Sequence, residues 1–227
     1  MIEFLLLDLD DTILDFHEAE RVAISKTIRD FGVEPTEQVL KTYHEINKWH
    51  WEQLELGNLT REQVLENRFR VLFETLGRQA DAAVCARAYE KNLSVGHYFL
   101  PGAEEALENL RRTCRLFLVS NGTASVQHSR LKSANLYRFF ENVFISQEIG
   151  YNKPSKFYFE RCFSKIPDFN PETALMVGDS LTSDVLGGIN AGLRTVWVNP
   201  AHKKSDKIRP DYEIEALSQL ENLLKIL

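Results

Sequence analysis

Five short apolar runs, each stopping abruptly at small or polar residues and each followed by helix-compatible periodicity, constrain this chain more than any other feature. They are residues 3–7, 115–119, 142–145, 174–177 and 194–198. A strand whose apolar residues occupy consecutive positions must be covered on both faces, and intervening helices supply that cover. The pattern therefore predicts a parallel α/β sheet with right-handed crossovers. Residues 211–214 add a short edge strand, and helices are expected over 103–112, 125–134, 154–164, 181–191 and 217–227.

Between residues 15 and 98 the rhythm breaks, because this interval is helix-compatible almost throughout and holds no convincing strand. Helices are expected over 16–31, ending at Gly32, and over 36–56, ending at Gly57-Asn58. A third starts at Thr60, which pairs with Gln63 in a capping-box pattern, and ends near Gly77; a fourth covers 79–93. Short connections favour antiparallel neighbours, so the economical packing is a four-helix bundle. The expected domains are a core of 1–14 and 99–227 and an inserted helical unit of 15–98, which a chain of 227 residues is long enough to build.

A formal charge of −6 argues against broad adhesion to a nucleic-acid polymer or an anionic membrane, since both need a cationic face. Cys85, Cys114 and Cys162 are odd in number and widely spaced, and they read as free thiols of a reducing compartment. The first apolar run has no basic flank and ends in acids, and no stretch approaches the roughly 20 residues of a membrane helix. A cytoplasmic protein is the expectation.

Four polar motifs fall at turns beside the predicted strands, where open α/β sheets gather their ligands. Asp8-Leu9-Asp10-Asp11-Thr12 follows the first strand and Ser120-Asn121-Gly122 the second. Asn152-Lys153-Pro154 precedes a helix, with Pro154 suited to its first position. Gly178-Asp179-Ser180 follows the fourth strand, with Asp184 in the first turn of the next helix. Singly, each has an ordinary explanation: acids and amides cap helices and shape turns, and lysines solvate surfaces.

Their joint occurrence carries the functional signal. Neighbouring strands lie about 4.8 Å apart, so Asp8, Ser120 and Asp179 can converge if their strands are adjacent. Asp8, Asp10, Asp179 and Asp184 would repel one another unless a cation joined them. A hard, oxygen-liking Mg²⁺ meets that need and would also bind a phosphate oxygen. The serine hydroxyl and exposed backbone amides are phosphate ligands by type.

With DxDxT, a strand-end serine, a lysine and GDxxxxD in this order, the chain resembles the haloacid-dehalogenase superfamily over essentially its whole length. The resemblance implies a Rossmann-like core with strand order 3-2-1-4-5 and identifies the helical insert with that family's type-one cap. It implies Asp8 as nucleophile and Asp10 as the acid, then base, of an aspartyl-phosphate mechanism. Mg²⁺ would be held by Asp8, the Asp10 backbone carbonyl and Asp179, with Asp184 direct or through water. Ser120, Lys153 and the turns at Asp11, Thr12 and Asn121, through their amides, would hold the phosphoryl oxygens.

The dehalogenase branch lacks an acid at the position of Asp10, so phosphoryl chemistry is favoured here over carbon–halogen cleavage. A closer resemblance, carried by residues 10–16, 46–51 and 178–193, is to bacterial pyrimidine or house-cleaning 5′-nucleotidases. It implies nucleoside 5′-monophosphates as substrates, pyrimidine ahead of purine. His44, Trp49, His50 and Trp51 are the candidate lining from the insert. Successive helical residues point about 100° apart, so the two tryptophans cannot both face one pocket.

Several other readings stay open. A sugar-phosphate or phosphoglycolate-type phosphatase, or a phosphomutase, would use the same core. A dehalogenase or a catalytically idle binding module is disfavoured by the retained acids and lysine. In every enzymatic reading the partner is a small metabolite, and the oligomeric state is not set by the sequence.

Overall fold

The apolar runs become strands of one sheet. In the computed structural model, which describes residues 1–227, these are β1 (Phe4–Leu7), β2 (Arg115–Ser120), β3 (Asn142–Ile145), β4 (Ala174–Gly178), β5 (Arg194–Val198) and β6 (Tyr212–Ile214). All pairings are parallel, in the order β3-β2-β1-β4-β5-β6. The expected order of the first five holds, and β6 extends the β5 edge.

Alternation along the strands splits the core in two. Leu5, Leu7, Leu116, Leu118, Leu175 and Val177 pack on one face with Leu107 and Leu110 of helix α5 (Ala103–Leu110) and Leu131 of α6 (Ala124–Ser133). Phe4, Leu6, Phe117, Val119 and Met176 pack on the other with Tyr158, Phe159 and Cys162 of α8 (Lys156–Phe163). Each such side chain contributes about 1.5–3 kcal/mol by leaving water, which is why continuous apolar strands are stable only between two helical layers.

Because β1 lies between β2 and β4, the chain order reverses at its two neighbours and a crevice opens at their carboxyl ends. Leu7 is level with Leu118 and Val177. The chain leaves the sheet at Asp8, while β2 runs on to Ser120 and β4 to Gly178. Register alone therefore brings three of the polar motifs to one edge.

The chain divides into two compact units, Met1–Phe16 with His97–Leu227, and His17–Gly96. The second is built on four helices: α1 (Phe16–Asp30), which enters it from the first unit, α2 (Glu37–Glu55), α3 (Arg61–Thr75) and α4 (Ala82–Leu93). Thr36, Thr60 and Asp81 cap the last three, and Thr60 with Gln63 completes the capping box expected from sequence. Tyr43, Phe69 and Tyr89 form an aromatic centre with ring centroids 5.4–5.5 Å apart.

Three helices depart from expectation. The one placed over 154–164 begins only at Lys156, because the Asn121 side chain grips both backbone groups of Lys153 and holds that segment as a loop. The one placed over 181–191 is a π-helical turn, Leu181–Val185, running into α9 (Leu186–Asn190). The turn swings Asp184 inward, where its Oδ2 accepts from the Ser180 amide at 3.1 Å. The last is a 3-10 turn, Leu217–Gln219, followed by α10 (Leu220–Leu224). A short helix after β3, α7 (Ser146–Ile149), has no counterpart among the expected elements.

Candidate active site

Lys153, only 1% exposed, organises the carboxyl edge of the sheet. Its ammonium donates to Asp8 Oδ1 at 2.6 Å, to Asp184 Oδ1 at 2.6 Å and to the Val119 carbonyl at 2.9 Å, which uses all three of its donors. Such a lysine cannot drift, because the Asn121 amide group donates to its carbonyl at 2.9 Å and accepts from its backbone N–H at 2.8 Å. Asp184 approaches the strand so closely that a Cβ at Gly178 would lie 2.2 Å from its Oδ2. Glycine is required there by contact rather than by dihedral angle.

Asp8, Asp179 and Asp184 bring ligand oxygens within 4.8 Å of one another. Three carboxylates thus crowd beside one ammonium, which bonds two of them. Burial pushes the Asp8 carboxyl up to about 8 against the pull of Lys153, with Asp184 and Asp10 adding to the rise. Burial likewise holds the Asp179 carboxyl well above its usual range, reinforced by Asp184 and Asp8. Burial alone would disfavour the charged form of Lys153, but Asp184 and Asp8 outweigh it and raise the ammonium's pKa. The cluster is short of positive charge, and an all-oxygen donor set of this size fits a hard divalent cation.

Asp10 belongs to a different network. Its Oδ1 accepts from Arg130 Nη1 at 2.5 Å and its Oδ2 from Gln127 Nε2 at 2.7 Å. Arg130 is 0% exposed and also donates to Gln127 Oε1, while Gln127 donates to Ser120 Oγ at 2.9 Å. Ser120 Oγ accepts from the Gly122 amide as well, and a Cβ at Gly122 would lie 2.4 Å from Gln127 Nε2. Neither Gln127 nor Arg130 was expected from sequence. The signal lay in two polar residues three apart on the buried face of α6, between Val126 and Leu131.

Asp11 takes a left-handed conformation with φ 56°, and its Oδ1 accepts from the Phe16 amide at the start of α1. The Asp11 amide, expected to face phosphate, donates to the Leu14 carbonyl at 2.7 Å. Thr12 is fully buried, and its hydroxyl has no hydrogen-bond partner.

In the helical unit, two of the four candidates touch: the Trp49 ring stands edge-to-face against His50, with centroids 4.9 Å apart. Trp49 is 53% exposed, whereas Trp51 lies under the Arg61 guanidinium at 5.5 Å. The His50 ring is buried and its Nδ1 donates to the Ile46 carbonyl at 2.8 Å. His44 Nδ1 donates to Glu20 Oε2 at 2.7 Å. Glu20, on α1, was not among the expected residues.

A family model for haloacid dehalogenase-like hydrolases matches residues 2–192. The chain is 40% identical to the HAD-hydrolase YfnB of Bacillus subtilis, across 98% of this chain and 95% of that one. It is 36% identical to the pyrimidine 5′-nucleotidase PynA of Streptococcus pneumoniae, across 96% and 93% of the two chains. With the pyrimidine 5′-nucleotidase YjjG of Escherichia coli it shares 30% identity, across 98% and 97%. A crystal structure of YfnB bound to magnesium superposes with a TM-score of 0.94 at 39% identity, covering 98% of each chain. No helix is long and apolar enough to cross a membrane.

Proposed function

We propose, from the premise that the chain belongs to the haloacid dehalogenase-like hydrolases, that it is a Mg²⁺-dependent phosphomonoester hydrolase working through an aspartyl-phosphate on Asp8. Its substrates are nucleoside 5′-monophosphates, pyrimidine ahead of purine. The observation that carries the chemistry is the buried Lys153 shared between Asp8 and Asp184, with a second acid, Asp10, two residues from the first. The substrate class rests on full-length similarity to two pyrimidine 5′-nucleotidases.

In this reading one Asp8 carboxylate oxygen attacks phosphorus, and the bond from phosphorus to the leaving oxygen breaks as Asp10 delivers a proton to that oxygen. Asp10, now ionised, takes a proton from water as the water attacks the phosphoryl group, releasing phosphate and restoring Asp8. Lys153 offsets the charge of Asp8 beside a dianionic substrate. The Ser120 hydroxyl and the loop amides around it hold phosphoryl oxygens. Both Asp10 oxygens are engaged by Arg130 and Gln127 in this structure, so this pair sets the resting position from which Asp10 enters the reaction. When bound by Asp8, Asp179 and Asp184, Mg²⁺ would supply Lewis-acid stabilisation of phosphoryl charge.

The core motifs bear on phosphate and metal alone, so discrimination among leaving groups falls to the insert. Stacking on an exposed ring such as Trp49 contributes about 1–3 kcal/mol, enough to rank bases. The test is kcat/KM for dUMP, dTMP, dGMP and a panel of sugar phosphates, with and without Mg²⁺. A sugar phosphate preferred by more than about tenfold, some 1.4 kcal/mol, overturns the nucleotide reading and leaves the phosphatase. Undiminished turnover without divalent cation overturns the mechanism.

A further inference from the structure

We infer that His17, Glu20 and His44 form a second cation site, within the helical insert, selective for a transition metal of the Zn²⁺ type rather than Mg²⁺. His17 and Glu20 are three residues apart on α1 and so share a face of that helix; His44 comes from α2. Each offers one ligand atom, and these atoms all lie within 4.8 Å of one another. His44 Nδ1 and Glu20 Oε2 are 2.7 Å apart, and the two imidazole rings have centroids 4.9 Å apart at 52°. Zn²⁺ bonds of about 2.0–2.2 Å place neighbouring tetrahedral ligands about 3.3–3.6 Å apart, so small side-chain rotations convert this cluster into a coordination sphere.

The carboxylate is held in place from behind. Asn47 Nδ2 donates to Glu20 Oε1 at 2.6 Å, and Asn47 Oδ1 accepts from Arg68 Nη1 at 2.8 Å. Arg68 is itself buried, with its guanidinium 4.7 Å from the centre of the Tyr89 ring. That is the outer-shell support a metal-binding carboxylate needs, and it leaves Oε2 directed at the histidines. His17 is exposed and the His44 side chain is 37% exposed, so an ion can enter and a water can complete its coordination.

Donor chemistry separates this cluster from the aspartates at the strand ends. Two imidazole nitrogens and one carboxylate suit Zn²⁺, Co²⁺, Ni²⁺ or Fe²⁺, whereas three carboxylates suit Mg²⁺. A plain Glu20–His44 ion pair with His17 beside it is the competing account, and it calls for no metal.

The experiment is calorimetric titration of the intact protein with Zn²⁺ in saturating Mg²⁺, paralleled by Co²⁺ absorption spectra. The variants are His17→Gln, His44→Gln and the double variant. The same titrations in an Asp179→Asn background separate the insert from the strand-end acids. The expected result is one more equivalent of Zn²⁺ in the wild type than in the double variant, and a loss of affinity of at least about tenfold for each histidine removed. That step persists in Asp179→Asn, accompanied by Co²⁺ bands that vanish with the histidines. His17 lies on an exposed face, so His17→Gln tests the site without threatening the fold. Equal stoichiometry, affinity and Co²⁺ spectra in wild type and double variant overturn the proposal.

Discussion

Both units bury charged side chains, and they balance them in opposite ways. At the strand ends the three carboxylates of Asp8, Asp179 and Asp184 cluster around the single ammonium of Lys153, which bonds two of them. In the insert, Glu20 is joined through Asn47 to Arg68, one carboxylate to one guanidinium. Removing an ion from water costs several kcal/mol even after relaxation, so a lopsided cluster persists only where something outside the packing compensates it. The insert network closes on itself and serves the helix packing; the strand-end cluster calls for a cation. Excess of one charge, more than burial itself, separates the two. This is also why a metal at His17, Glu20 and His44 would load onto a folded insert without being needed to fold it.

The largest expected effect tests whether the lopsided cluster is the chemical one. Asp8→Asn keeps the shape but removes the proposed nucleophile, and turnover should fall by about 10⁴-fold or more with the circular-dichroism spectrum unchanged. Activity within tenfold of wild type would detach the chemistry from this cluster.

A second test uses pH to read the charge imbalance directly. Burial pushes the Asp8 carboxyl from its ordinary 3.8 up to about 8, so the folded state holds the extra proton. This group's contribution to stability is therefore fully present below about 4 and is lost as pH rises through about 8. Thermal melts in EDTA should show stability from this site declining across that window, with the Mg²⁺-induced rise in Tm growing over the same range. A Mg²⁺ effect that shrinks with rising pH would contradict the charge assignment.

Next in size is the Asp10 network. Gln127→Ala removes hydrogen bonds to Asp10 and Ser120, and it should cost about 1–3 kcal/mol in denaturant unfolding. Acting through Asp10, it should lower kcat about tenfold with KM changed less than about threefold. A purely structural role would move stability and leave kcat alone.

The smallest effects belong to the insert. Trp49→Ala, at an exposed position, should change stability by no more than about 0.5 kcal/mol. It should leave hydrolysis of a simple aryl phosphate intact while lowering kcat/KM for nucleotides by about tenfold. Equal losses on both substrates would mean that the two units do not divide chemistry from selection.

The fold class was legible because its signals are local. Runs whose apolar residues fall on consecutive positions announce strands covered on both faces, and the sheet matches the ranges 142–145 and 194–198 residue for residue. Caps such as Thr60 with Gln63 are readable within one helical turn. Helix starts were less secure where a long-range contact intervened, as at Pro154, where the grip of Asn121 on Lys153 delays α8 to Lys156.

By itself, then, the sequence determined the parallel sheet, the helical insert and the strand-end turns bearing Asp8, Ser120 and Asp179, since burial period and turn chemistry act over a few neighbouring residues. Only the tertiary structure decided what those residues touch. Arg130 meets Asp10 across 120 positions, Asn121 meets Lys153 across 32, and Glu20 meets Asn47 across 27. No local pattern encodes such pairings, because a hydrogen bond depends on distance and angle in space, and those are set when the sheet and the helices have packed.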